Sequence, residues 1–304
     1  MYKSFFGLSR NAFEITPDPR FFFGTARHNE ALASLCYGLE RRKGFTVITG
    51  EVGTGKTLLA QCLFRILTVQ KTPFAYVFNP LLPPVEFLAY VANDMGISAG
   101  GKNKGELLGE LNRYLIAQYQ RSSTAVLIVD EAQLLSWELL EEIRLLTNLE
   151  TAEQKLLQIV LMGQPEFDEK LELQGLRQLK QRIALRCRLE PLSLEETQRY
   201  IASRLLLAGS KEKIGNIFPS AVVELIHRYS HGIPRLVNTI CEAALVSSFA
   251  LTARVVSPEV VHEVAADFHL LNPSHGPKKL EIPPCKPSTS DNAEAVFSSR
   301  AVAL

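Results

Sequence analysis
The apolar positions of the chain follow two rhythms. Phe45–Thr49, Phe74–Phe78, Ala125–Val129, Leu157–Met162 and Ala184–Leu189 are short runs of mostly aliphatic, aromatic and β-branched residues. Their length and continuity predict strands buried on both faces. Between them, apolar residues recur at helical spacing. Residues 27–43 carry Ala31, Leu32, Leu35 and Leu39 in this register, and the same rhythm predicts helices over Lys56–Leu67, Pro84–Met95, Glu106–Tyr119 and Trp137–Leu149. Pro84 suits a first helical turn, where its missing N–H costs nothing. Short apolar strands alternating with helices predict an α/β fold, a parallel sheet covered on both faces.

Beyond Ser193 the strand rhythm stops. Ser193–Leu207, Ser220–Tyr229, Pro234–Phe249 and Pro258–Phe268 all read as helices. Ahead of the first helix lies an aromatic, proline-containing segment with TPDPRFFF at its centre, expected to be an irregular arm packed on the body. From Asn272 the composition shifts to proline and serine, which predicts a disordered tail. The expected organisation is an arm over 1–26, an α/β core over 27–191, a small all-helical domain over 192–271 and a tail over 272–304.

Composition narrows this picture only slightly. Of 304 residues, 46% are hydrophobic and 21% charged, as in an ordinary globular protein, and the net charge of +1 points to neither a nucleic acid nor a membrane. Cys36, Cys62, Cys187, Cys241 and Cys285 are scattered and form no Cys-x-x-Cys pair. They read as reduced thiols of a cytoplasmic protein. The N-terminus lacks the apolar stretch of roughly 7–15 residues of a secretory leader. No run reaches the ~18 apolar residues of a membrane span.

The candidate chemistry sits at the strand ends. Directly after Phe45–Thr49 comes Gly50-Glu51-Val52-Gly53-Thr54-Gly55-Lys56-Thr57, followed by Leu58 and a predicted helix. This is the full P-loop pattern in its strand-to-helix context. Glycines let the backbone turn and aim N–H groups at phosphate oxygens, and the helix start adds its positive end. Lys56 is expected on the β and γ phosphates of ATP, and Thr57 on Mg²⁺. The strand Ala125–Val129 ends in Asp130 and Glu131. Asp130 is the expected second contributor to the Mg²⁺ site, and Glu131 the group that orients and polarises the attacking water.

Three further positions are candidates. Gln164 follows the strand Leu157–Met162 and either contacts the γ-phosphate or water, or simply opens the turn before Pro165. The basic run from Arg177 to Arg188 is either a solvated face or the source of an arginine delivered to a neighbouring subunit, Arg182 first and Arg177 second. Arg235, after Gly232-Ile233-Pro234, opens a helix of the second domain, where it either reaches the nucleotide from that side or is only an exposed helix start. His227 and His231 are expected four apart on one helix, a spacing that can bind metal, but they lack the glutamate or cysteine companions of a metal site.

With these residues assembled, the chain resembles the AAA+ ATPases, and more narrowly the ExeA-type ATPases of the general secretion pathway. The resemblance rests on FFGLSRNAFEITPDPRFFF, GFTVITGEVGTGKT, VLIVDEAQLL, LQIVLMGQPEF, LRQLKQRI, LEPLSLEET and GIPRLVN, between about residues 2 and 268. It implies a five-stranded αβα P-loop domain with a helical lid, ATP between them, and a homo-oligomeric ring or filament with Arg182 acting in trans. It also implies that Arg235 is a lid-side sensor. Members of this type continue into a membrane span and a peptidoglycan-binding module, and this chain is expected to lack both. The functions open at this point are an ATPase of a secretion or cell-envelope complex, a DNA-associated ATPase, and a nucleotide-dependent scaffold with little turnover.

Overall fold
Phe45–Gly50 (β1) is buried at every position, because Phe45 and Val47 point to one helical layer and Ile48 to the other. A computed structural model of the chain describes residues 2–271, and β1 lies inside its single sheet. The other strands are Phe74–Val77 (β2), Ala125–Val129 (β3), Leu157–Gly163 (β4) and Leu185–Leu189 (β5), in the order β2-β3-β4-β1-β5, with all pairings parallel. Thr49 stands opposite Gly163 of β4 and Arg188 of β5. The ends of β1 and β4 therefore lie side by side, which brings Gln164 next to the loop after β1.

The helices in chain order are Tyr2–Phe5 (α1), Ala26–Glu40 (α2), Lys56–Val69 (α3), Pro84–Asp94 (α4), Lys104–Gln120 (α5), Trp137–Leu146 (α6), Pro165–Leu171 (α7), Arg177–Lys180 (α8), Leu194–Leu207 (α9), Ser220–Ser230 (α10), Pro234–Ala250 (α11) and Pro258–Asp267 (α12). Helices α4 to α8 cover one sheet face through Phe87, Val91, Leu111, Ile143, Phe167 and Leu179. Helices α2 and α3 cover the other through Ala31, Leu35, Leu59 and Leu63. Several starts are locally encoded. Asn103 with Glu106 and Ser193 with Glu196 form capping boxes, and the hydroxyls of Thr25, Ser136 and Ser257 cap α2, α6 and α12.

Four expectations need correction. The arm is not wholly irregular, since Tyr2–Phe5 is helical. Phe6, Leu8, Ala12 and Phe13 share a core with α9 to α12, not with the sheet. Arg204, itself buried, donates from Nε to the Ala12 carbonyl (2.6 Å) and from Nη2 to the Glu14 carbonyl (2.8 Å), with its guanidinium over the Phe21 ring. Helix α6 stops at Leu146, three residues short of the expected end, where the Thr147 hydroxyl turns back to the Arg144 carbonyl. Helices α7 and α8 fall where no helix is expected, because each is too short for its periodicity to show. His231 lies beyond α10 in the left-handed region (φ +50°), so the His227/His231 pair does not share a helix. The expected tail, 272–304, falls outside the described residues.

Candidate functional site
The loop between β1 and α3 is shaped by what glycine permits. A Cβ on Gly50 would lie 2.8 Å from the Thr54 hydroxyl and 2.9 Å from the Leu189 carbonyl of β5. Gly53 (φ +84°) and Gly55 (φ +106°) hold conformations that side chains rarely adopt. Thr54 ties the loop to itself, its N–H and hydroxyl both donating to the Glu51 carbonyl. Val52 is exposed at the tip, and Leu58 is half-buried in the first turn of α3. Lys56 is buried, and its Nζ donates to the carbonyls of Gly50 (2.6 Å) and Glu51 (3.0 Å). Burial pulls the Lys56 ammonium below its ordinary pKa, against the opposing pull of Glu131 and Asp130. An anion close to Nζ would relieve that penalty.

The loop is also held from outside, by a residue that sequence reasoning missed. His28, in the first turn of α2, is buried, and its Nε2–H donates to the Thr54 carbonyl (2.9 Å). The Thr25 hydroxyl, 2.7 Å away, donates to Nδ1 and fixes the tautomer. Burial lowers the His28 pKa, so the neutral ring is favoured. The only sequence signal is the helix cap three residues ahead, which does not announce the P-loop contact.

At the end of β3, Asp130 is buried. Its Oδ2 accepts from the Thr57 hydroxyl (3.4 Å) and from Tyr76 of β2 (3.2 Å), and its Oδ1 accepts from the Glu131 N–H (2.9 Å). Desolvation raises the Asp130 pKa, and burial together with Asp130 pushes the Tyr76 phenol up. Among the described residues no three His, Cys, Asp or Glu side chains gather as a metal site. The Thr57–Asp130 pair of hard oxygens instead suits Mg²⁺, which keeps most of its shell for water and phosphate.

Glu131 takes up a left-handed backbone (φ +51°) at the head of a 3-10 turn over Ala132–Leu134. Its Oε2 accepts from Gln133 Nε2 (2.5 Å) and from Gln164 Nε2 (3.2 Å). Gln133 also accepts from the Gln164 N–H (3.1 Å), which closes the triangle. Lys170 of α7 pins this turn through the carbonyls of Gln133 and Leu135. Gln164 thus faces the carboxylate, and Gln133, two residues past Glu131, is a partner the sequence left unmarked.

The helical layer closes over the loop. The Arg235 N–H donates to the Gly53 carbonyl (3.3 Å), while its side chain is exposed with no hydrogen-bond or ion-pair partner among the described residues. A hollow of about 30 Å³, room for roughly one water, lies beside Thr54 and Gly55 and is walled by Phe22, Phe23, His28, Leu58, Tyr200 and Pro234. The two arginines of the basic run differ. Arg182 is half-buried and donates to the Thr147 hydroxyl, whereas Arg177 opens α8, exposed and without a partner among the described residues.

Sheet order, P-loop and strand-end carboxylates together define an α/β P-loop fold, and residues 39–171 match the family model described as AAA domain. The chain is similar to General secretion pathway protein A of Aeromonas hydrophila, 45% identical over 251 residues, covering 82% of this chain and 45% of that protein. It thus spans less than half the length of that relative. Among solved structures, the Aeropyrum pernix ORC2 protein aligns with a TM-score of 0.62 at 18% identity, over 85% of this chain and 72% of that one. Drosophila ORC bound to DNA gives 0.65 at 19%, over 86% and 65%. The Thermotoga maritima RuvB Holliday junction branch migration motor gives 0.52 at 17%, over 81% and 70%. These three share the fold. No helix among the described residues is long and apolar enough to cross a membrane.

Proposed function
We propose that the chain hydrolyses ATP and uses the cycle to assemble or remodel a secretion or cell-envelope complex at the cytoplasmic side. The observation that carries the chemistry is the convergence of Lys56, Thr57 and Asp130 with a Glu131 carboxylate held between two amides. Residues 27–191 form the catalytic core in this reading, and 192–271 the lid. The N–H groups of Gly50–Leu58 and the Lys56 ammonium bind the phosphates. Thr57 and Asp130 would hold Mg²⁺, which would supply positive charge to offset that of the phosphates. Glu131 accepts a proton from the attacking water, which displaces ADP in line, and Gln164 and Gln133 aim that carboxylate. Arg235 reads the nucleotide from the lid.

A neighbouring copy in a ring or filament supplies an arginine, a contribution of about 10³–10⁵ in rate, or roughly 4–7 kcal/mol. Arg182 must first leave Thr147, so Arg177 is the freer of the two. The secretion role rests on the similarity to General secretion pathway protein A, of which this chain matches less than half. A second reading, a DNA-associated ATPase, draws on the basic run Arg177–Arg188 and on the fold shared with ORC and RuvB.

The deciding measurement is ATP turnover against protein concentration, with and without duplex DNA, using Glu131→Gln as the blank. Specific activity that rises with concentration and falls in Arg177→Ala or Arg182→Ala supports an assembling motor. Stimulation by DNA moves the assignment to the second reading. A rate equal to the blank at every concentration rejects hydrolysis and leaves a nucleotide-dependent scaffold.

A further inference from the structure
A second cavity lies at the opposite end of the strands from Asp130, beside the starts of β2 and β3. It measures about 560 Å³, within the range of small-molecule sites. Three helices end around it, and each ends in the same unusual way. The second residue past α2 is Arg42 (φ +49°), past α3 Lys71 (φ +55°) and past α5 Ser122 (φ +57°). These are three of the seven non-glycine residues with left-handed backbone among the described residues, all lining one cavity. Glycine ordinarily occupies such positions, because a Cβ is strained there. Here side chains able to face a ligand stand in its place.

The chemistry of the wall is one-sided. Arg42, Lys71 and Arg121 face a single carboxylate, Glu40, and none of the three basic groups has a salt bridge among the described residues. At each of the three helix ends at least one carbonyl is already taken by the chain that follows. The N–H groups of Lys43, Thr72 and Ser123 bond to the carbonyls of Gly38, Leu67 and Gln118 at 2.9–3.0 Å. The Arg42 guanidinium lies over the Tyr119 ring, and its Nη2 donates to the Ser123 carbonyl (3.0 Å). Its Nη1 and the Thr124 hydroxyl are buried with no hydrogen-bond partner among the described residues. Buried polar atoms are ordinarily bonded, and two unmet groups in one wall point to a missing oxygen-rich partner.

We propose that this cavity binds a small organic phosphate. The phosphate would lie against Arg42, Lys71, Arg121 and the Thr124 hydroxyl, and the carbon body against Leu39 and Ile66. The cavity is separate from the P-loop. Helix α2 carries His28 near one end and leads to Arg42 beyond the other, and α3 runs from Lys56 to Val69, about 21 Å at 1.5 Å per residue, before the chain reaches Lys71.

The test is titration with ribose 5-phosphate of protein saturated with Mg-ADP, so that the P-loop is filled, followed by the ³¹P signal of the monoester. Saturable binding is expected, weakened at least ten-fold in Arg121→Gln and in Thr124→Val, and retained in Lys56→Ala. The Arg121 side chain is exposed and makes no hydrogen bond among the described residues, so that variant keeps the fold, as circular dichroism will check. Absence of saturable binding overturns the proposal, as does binding that Arg121→Gln leaves intact or Lys56→Ala removes. Inorganic phosphate bound equally tightly would overturn the organic-body assignment. A single-stranded oligonucleotide bound more tightly, with the same sensitivity to variants, would replace the small ligand with a nucleic-acid backbone.

Discussion
His28→Ala removes the one side chain that ties α2 to the P-loop. Two losses follow. The neutral hydrogen bond from Nε2 to the Thr54 carbonyl contributes about 1 kcal/mol net. Thr54 is fully buried, so its carbonyl then lacks a partner where water has little access, which adds about 1–3 kcal/mol. The sum is about 2–4 kcal/mol, or roughly 3–7 °C in melting temperature for a protein of this size. His28→Gln, which can return an amide donor to that carbonyl, should recover part of the loss. The pH dependence has a definite sign. The folded-state pKa of His28 is depressed by burial below its ordinary 6.5. Above that value the ring is neutral in both states and contributes no slope. As pH falls below it, the unfolded chain takes up the proton first and stability drops toward the folded pKa. Urea melts at pH 7 and pH 5.5 should therefore show a steeper acid loss for the native chain than for His28→Gln. A His28→Ala change smaller than 0.5 kcal/mol, or equal acid slopes, would refute the clamp.

Two further substitutions test the frame around the site. Gly232→Ala places a Cβ 2.0 Å from the Leu192 carbonyl at φ +72°, so a loss of about 3 kcal/mol or more is expected in denaturant melts. Gly100→Ala, with open space around it, should stay within about 0.5 kcal/mol, and similar values for the two would reject the steric argument. Lys104→Met strands the buried Glu142 carboxylate, whose Oε2 lies 2.5 Å from Lys104 Nζ and whose Oε1 has no partner. Because Lys104 is half-exposed, a loss of about 1–3 kcal/mol is expected, less than for a fully buried pair. Lys104→Met combined with Glu142→Gln should be milder than Lys104→Met alone. A double variant as unstable as the single one would show that the charge is not the cause.

The strands and long helices were legible because their causes are local. An uninterrupted run such as Ala125–Val129 has no solvent-facing side to polarise, and the capping boxes at Asn103 and Ser193 are written within four residues. The P-loop and the Asp130–Glu131 pair were legible for a related reason. Their chemistry needs fixed residue types at fixed distances from a strand end. By itself the sequence determined the α/β sandwich, the phosphate loop and the strand-end carboxylates.

Tertiary structure decided what depends on distant segments meeting. Nothing near His28 marks the P-loop carbonyl 26 residues away, and Gln133 acquires a role only when β4 brings Gln164 to the same carboxylate. The need for glycine at position 50 comes from the neighbouring strand's Leu189 carbonyl, not from its own turn. The arm found its core in the helical layer because Arg204 offers a buried guanidinium to the Ala12 and Glu14 carbonyls, 192 and 190 residues apart in sequence. The basic cavity arises only where the ends of α2, α3 and α5 converge. Periodicity reports how one segment meets solvent. It carries no information about which other segment will supply the missing hydrogen bond, and that choice belongs to the folded chain.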